Sequence, residues 1–278
     1  MNNSMINSLV GMQAMQQKID SISNNVANAN TTGYKSRDTY FGELLTSRLE
    51  QPEQLSQLDG RTSPKGLDIG YGSKANLTLG NFTQGPQQET GVATDLMLAG
   101  ENIFFTLAPS SSYDDRQLRF TRDGNFKLDA SGNLVTSTGY YVLSTDGEPI
   151  SIPENTKFTV DNQGRVIVEY GNGNKEEIGA LDIKQINNPQ VLEQVGENQF
   201  KIPDEFRADQ YNVINEDFNL SEDTTGAYSV VQGSIEGSNI DMAKEMVQLN
   251  EAQRAYQLLS RSLSISDQMM GMANNLRR

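Results

Sequence analysis

The stretch NIDMAKEMVQLNEAQRAYQLLSRSLSISDQMMGMA, residues 239–273, decides the architecture of this chain. Its apolar side chains return every seven positions at Met242, Leu249, Tyr256, Leu263 and Met270. A second row follows three residues later at Glu245, Ala252, Leu259, Ser266 and Ala273. A sustained seven-residue repeat is the requirement for a helix to lie along another helix with a slight left-handed supercoil. Working outward, the other end of the chain carries the matching pattern. Met5, Met12, Ile19 and Val26 form one row, and Ser8, Met15, Ile22 and Ala29 form its shadow. A helix of this length and composition is marginal alone in water, so the two ends are expected to pair with each other or with copies of themselves.

The first helix is expected over about Asn3–Asn28, ending in ANANTTGYK, where Gly33 offers a left-handed position and Asn and Thr favour turns. Asn24, Asn25 and Asn28 crowd its last turns although Asn is a mediocre helix former. These amides are expected to bond across subunits of a packed assembly, an Asn25→Ala, Asn28→Ala pair leaving the monomer's fold intact. The last helix is expected to start near Asn239, with Ser238 or Asn239 as its N-cap.

Between the helices the pattern changes. Residues 36–90 are poor in apolar runs and hold Pro52, Pro64, Gly66, Gly70 and Gly72, which reads as a loop or a long hairpin. From about Thr90 onward, short apolar runs alternate with tight-turn pairs. NIFFTL is followed by Asp123-Gly124, Ser131-Gly132, Thr138-Gly139, Asp146-Gly147, Gln163-Gly164 and Gly171-Asn172-Gly173. Such pairs supply the positive φ of hairpin turns. The expected class is α+β: N- and C-terminal helices pairing as a coiled-coil-like rod, extended β arms, and an inserted, mostly antiparallel β domain at the tip. The expected division is an assembly helix at 1–35, an arm at 36–90, a β-rich outer domain at 91–189, a returning arm at 190–237 and a second assembly helix at 238–278.

Composition restricts the chemistry. The chain has no Cys, His or Trp. No disulfide framework or thiolate metal site can form, and the usual general base, zinc ligand and nucleophile partner are missing. The turn DASGN at 129–133 lacks the later bidentate Glu of a calcium loop. Gly171-Asn172-Gly173 lacks the strand-to-helix setting of a phosphate cradle. The acidic pairs Asp114-Asp115 and Glu176-Glu177 read as solvated loop residues. No catalytic residue, metal or cofactor is therefore expected. No apolar run approaches the roughly 20 residues that span a bilayer, and the opening MNNSMINSLVG does not read as a conventional cleaved signal.

The net charge is −14. Residues 1–50 carry four basic and four acidic side chains, and residues 238–278 carry five and four, so the excess lies in the middle. This balance argues against a nucleic-acid partner, and none is expected. Near-neutral ends can crowd against copies of themselves, while an acidic middle suits water.

Four segments, in order, carry a resemblance. SNNVANANTTGYK (23–35), ATDLMLAGENIFFTL (93–107), RFTRDGNFKLDASGNLVTSTGYYVL (119–143) and QGSIEGSNIDMAKEMVQLNEAQRAYQLLSRSLSISDQM (232–269) resemble the signature blocks of the flagellar basal-body rod and hook family. SPKGLDIGYGSKA (63–75) and FTQG (82–85) are most similar to its distal rod branch (FlgG type), with the proximal rod branch (FlgF type) next and the hook protein further off. The resemblance implies a non-enzymatic axial subunit that polymerises helically with itself and meets other rod subunits and the hook protein. It implies export by the flagellar type III apparatus and residence in the basal body. Its assembly residues are expected to be Met5, Met12, Met15, Ile19, Ile22, Val26, Met242, Leu249, Tyr256, Leu259, Leu263 and Met270. Asn24, Asn25, Asn28, Gly33 and Tyr34 form the signature loop. Phe41 and Leu45 fit the family's export-gate spacing. Where the family pattern has a second Gly before its paired aromatics, this chain has Asn102, which tolerates the left-handed turn. Two readings from other classes are a carboxylate-based cell-wall glycan hydrolase, for which no distinctive acid pair is present, and a surface adhesin with coiled ends.

Overall fold

The computed structural model describes residues 2–43, 46–49, 67–70, 73–109, 117–153, 156–171, 173–203, 213–215, 218, 220 and 228–275. They divide into two compact units: residues 1–27, 37–79 and 241–278 form the first, and residues 28–36 and 80–240 the second.

The first unit is built on two helices, α1 (Asn2–Ala27) and α2 (Met242–Asn275). The start of α2 corrects the capping expectation. Asp241 is the cap: its Oδ1 accepts from the backbone N–H of Ala243 at 2.9 Å and of Lys244 at 3.2 Å. A carboxylate satisfies two orphan amides and also favours the positive end of the helix dipole. The helices run antiparallel, with Ser8 Oγ 3.1 Å from Ser262 Oγ and Gly11 against Leu259. Further along, Asn25 hydrogen-bonds Glu245. Accompanying them are β1 (Arg37–Glu43), β2 (Thr46–Leu49), β3 (Leu67–Gly70) and β4 (Ser73–Gly80). β1 pairs with β4, and β2 pairs antiparallel with β3 from Thr46↔Gly70 to Leu49↔Leu67. Of the two expectations for this region, the long hairpin is the one found among the described residues.

The second unit is the β domain. Its first strands are β5 (Gln87–Glu89), β6 (Leu96–Ala99), β7 (Ile103–Ala108), β8 (Arg119–Thr121), β9 (Lys127–Leu128), β10 (Leu134–Val135) and β11 (Tyr141–Val142). A three-stranded antiparallel sheet follows, β12 (Lys157–Val160), β13 (Arg165–Glu169) and β14 (Lys175–Ala180). The remainder are β15 (Ile183–Ile186), β16 (Glu193–Gly196), β17 (Gln199–Lys201), β18 (Ile214–Asn215), β19 (Ser229–Gln232) and β20 (Ser234–Glu236). The largest sheet runs β16-β17-β8-β7-β11-β10-β9, with β15 on β7 and β18 on β15. Strands late in the chain join early ones: β17 lies on β8, β19 on β6 and β20 on β5.

β7 explains why NIFFTL is apolar throughout: every residue from Ile103 to Ala108 is buried. Ile103, Phe105 and Leu107 enter one core with Leu96, Leu98, Phe126 and Val168. Phe104 and Ala108 enter a second with Phe120, Leu143, Ile186 and Phe200. A strand covered on both faces loses the polar alternation of a half-exposed one. Phe82 of FTQG caps the second core, edge-on to Phe104 and Phe200 at 5.9 and 5.5 Å between ring centroids, the geometry aromatic quadrupoles prefer.

The expected positive-φ turns are present at Gly132, Gly139, Gly147, Gly164 and Gly173. Gly124 is a correction: its φ is not positive. A Cβ there would sit 1.6 Å from the carbonyl oxygen of Leu96, so this glycine is required by close backbone approach and not by turn geometry. Asn102 takes φ +60, the left-handed conformation expected of the residue in place of glycine.

Candidate functional site

Two constellations concentrate the signature residues, one in each unit. In the helical unit, the seam between α1 and α2 is lined largely by small or polar side chains, with Ile22 and Leu259 among them. Ser8, Ala14, Ile22 and Asn25 of α1 are buried, as are Glu245, Ala252 and Ser266 of α2. Small residues let helix axes approach closely; a Cβ on Gly11 would stand 3.2 Å from Leu259 Cδ1. The row that faces inward on α2 is thus Glu245, Ala252, Leu259 and Ser266, the shadow row of the repeat. Met5, Met12, Met15, Ile19, Val26, Leu249, Tyr256, Leu259 and Leu263 are half-buried, Ile22 is buried, and Met242 and Met270 are exposed. Large apolar side chains therefore remain in water on both helices: Ile6, Leu9, Met246, Val247, Leu258 and Ile265. Leu258 is 63% exposed and Val247 60%.

Asn25 is engaged inside its own chain. Its Nδ2 donates to the Arg37 carbonyl and its Oδ1 accepts from the Arg37 N–H, both at 3.0 Å. This two-point clasp reproduces a strand-like pairing with β1, and Ser21 Oγ adds a third bond to the same carbonyl at 3.0 Å. An Asn25→Ala change removes these contacts within the monomer. Asn24 is exposed and Asn28 half-buried. Phe41 is partly exposed, with Lys18 Nζ 5.8 Å from its ring centroid. Leu45 lies outside the described residues.

In the β unit, the signature loop leads to a buried ion cluster that sequence reasoning missed. Gly33 (φ +64) donates its N–H to the carbonyl of Glu236 at 2.8 Å. A Cβ at Gly33 would stand 2.6 Å from the Asp123 nitrogen. Tyr34, next in the chain, is buried. Lys35 Nζ then lies 2.7 Å from Glu236 Oε1, and Arg122 Nε lies 2.8 Å from Glu236 Oε2. All three side chains are at most 2% exposed. Glu236 Oε1 also accepts the Gly85 N–H at 2.7 Å. Two cations against one carboxylate leave an excess positive charge. Backbone carbonyls disperse it: Thr83 accepts from Lys35 at 2.7 Å, and Arg122 Nη1 donates to Gly100 and Ile103 at 2.9 and 2.8 Å. Burial pulls the Lys35 ammonium down to about 8, with Arg122 adding to the effect and Glu236 opposing it. Burial works against the Glu236 carboxylate as well, but Arg122 and Lys35 outweigh it and hold its pKa below the ordinary value.

This cluster joins residues from all four signature blocks and from FTQG. Nothing in the local sequence signals it, since its charges are separated by up to 201 positions. The available clue is composition: Lys35, Arg122 and Glu236 are charges set inside glycine-flanked motifs of strand ends. Asn239 is part of the same framework, accepting from Ser36 N–H and donating to the Asn81 carbonyl, both at 2.8 Å. Among the described residues no acidic cluster has the arrangement of a metal site, and no helix is long and apolar enough to cross a membrane.

Comparisons with known proteins converge on these same segments. Residues 7–35 match the family model described as flagella basal body rod protein, residues 102–168 the flagellar hook protein FlgE/F/G D1 domain, and residues 231–276 the flagellar basal body rod FlgEFG protein C-terminal model. The flagellar basal-body rod protein FlgG of Borreliella burgdorferi is 34% identical over 272 residues, covering 96% of each chain. The flagellar hook-basal body complex protein FlhP of Bacillus subtilis is 32% identical over 283 residues, 99% of each, and the FlgG of the same organism 29% identical over 277, again 99% of each. The chain belongs to the flagellar basal-body rod protein family. It is a FlgG-like structural axial subunit of the basal body, and the family is not one of enzymes.

Proposed function

We propose that this chain polymerises through its helical unit into a tubular rod that encloses the export channel and transmits torque from motor to hook. The observation that carries this reading is the pair of helices whose mutual seam is small and polar while Leu258, Val247, Met246, Ile265, Leu9 and Ile6 stay exposed. Each such side chain contributes on the order of 1.5–3 kcal/mol when a neighbour covers it fully, and large uncovered apolar patches on a protein mark interaction sites. Non-closing contacts between identical copies generate a helical filament. In this reading residues 1–35 and 238–278 are the assembly segments, 36–90 and 190–237 the bridging arms, and 91–189 the outer domain. The partners are further copies, other rod subunits and the hook protein, and delivery is by the flagellar type III route to the outside of the cytoplasmic membrane. Phe41, with Leu45, serves as the export-gate motif; secretion of a Phe41→Ala chain falls at least fivefold against wild type, and undiminished secretion removes that assignment.

The branch assigned is the distal rod. Similarity to FlhP, a hook-basal body complex protein, supports a second reading as another axial subunit of that complex. Labelling the protein in purified basal bodies separates the two: signal along the rod just below the hook supports the distal assignment, and signal confined elsewhere overturns it.

A further inference from the structure

Within the helical unit, α1, β1 and α2 border a cavity of about 270 Å³. Its lining is almost wholly polar, and two of the residues that line it carry a buried polar atom without a hydrogen-bond partner: Glu245 Oε2 on α2 and Thr39 Oγ1 on β1. Glu245 is only 5% exposed, and Asn25 supplies one bond to its carboxylate. A buried acceptor and a buried hydroxyl on residues that border one space are groups that folding alone leaves unsatisfied. The space exceeds the roughly 30 Å³ share of one water many times over. Lys18, Arg37 and Lys244 line it together with Asp38 and Glu245, so a further cation or anion gains little there. A neutral carboxamide offers the chemistry both orphan atoms lack, an N–H₂ that can donate to Glu245 and an oxygen that can accept from Thr39. Met242 and Met246, both exposed, flank Glu245 on α2, so the cavity adjoins the apolar face assigned above to subunit contacts.

We propose that this cavity is a socket for an Asn or Gln side chain presented by a second copy of the chain; the proposal rests on the assembly reading. It gives that contact a register, since apolar side chains alone allow helices to slide.

The test uses the full-length chain and its critical concentration for polymerisation. Thr39→Val keeps side-chain shape, removes the orphan hydroxyl, and is expected to leave the monomer's Tm unchanged or raised. Its critical concentration is expected to rise about tenfold, the factor corresponding to roughly 1.4 kcal/mol. Glu245→Gln, which keeps the bond from Asn25 but alters the acceptor, gives the same readout should Thr39→Val fail to fold. Because the chain has no cysteine, Thr39→Cys supplies a single thiol, expected to react at least tenfold more slowly with a small methanethiosulfonate in polymer than in monomer. Polymerisation of either variant within twofold of wild type, or equal thiol reactivity in both states, means water alone fills the cavity and overturns the socket. A wild-type chain that stays monomeric at all concentrations instead overturns the assembly reading, and the socket with it.

Discussion

Glu236 is the anion that holds the buried ion cluster of the β unit together. Its carboxylate holds Lys35, Arg122 and the Gly85 amide at 2.7–2.8 Å with almost no water. Removing the one anion leaves two buried cations facing each other, so Glu236→Ala is expected to cost about 3–5 kcal/mol. A shift of the urea midpoint with unchanged slope measures this; a loss under 1 kcal/mol contradicts the role. Lys35→Met costs less, because Arg122 still pairs with Glu236. The pH dependence has a definite sign. Lys35 titrates near 8 in the folded chain against 10.5 unfolded. Between those values the unfolded chain holds a proton the native chain has released, so this group's contribution to stability rises with pH across that window. Wild type therefore gains on Lys35→Met between pH 8 and 10.5, read from paired urea titrations; a flat difference excludes the shift. Glu236 works at the other end. Its lowered pKa adds stability above the ordinary carboxylate range, and that stability is lost as pH falls through the native value.

At the scale of elements, α1 and α2 approach closely where their buried side chains are small, at Gly11, Ala14 and Ala252. Ala252 is 2% exposed, so Ala252→Leu over-packs the seam and is expected to destabilise the helical pair by about 1–3 kcal/mol, visible as an earlier loss of helical circular dichroism. Leu258→Ala on the exposed face changes that transition by less than 0.5 kcal/mol. Equal effects of the two substitutions contradict the assignment of inner and outer faces. The period of seven made both helices legible in the sequence, but not their phase. Rows beginning at Met242 and at Glu245 satisfy the same repeat, and only the close approach at Gly11, Ala14 and Ala252 selects the second. The strand-and-turn rhythm was equally legible, down to the left-handed residue at Asn102. Gly124 was not, because its constraint comes from the Leu96 carbonyl and lies 28 residues away in the chain. The same holds for Asp241, which caps in place of the expected Ser238 or Asn239; Asn239 is drawn off by Ser36 and Asn81. The ion cluster was illegible for a stronger reason: each of its charges is unremarkable until distant segments meet.

For the whole molecule, the division into two compact units makes folding and assembly separable. The ion cluster, both apolar cores and the β20–β5 pairing lie within residues 28–36 and 80–240. A chain ending at residue 239 keeps all of these groups while losing α2, which supplies half of the helical seam and most of the exposed large apolar side chains of the two helices. It is expected to stay folded, with a cooperative urea transition of the β unit and retained near-ultraviolet dichroism from its tyrosines. The same chain is expected not to sediment as polymer at concentrations where the full chain does. Unfolding of the truncated chain shows that the β unit needs α2 for its own stability. Efficient polymerisation by it shows that the contacts between copies lie in the β unit, and the exposed row on α2 then has another use.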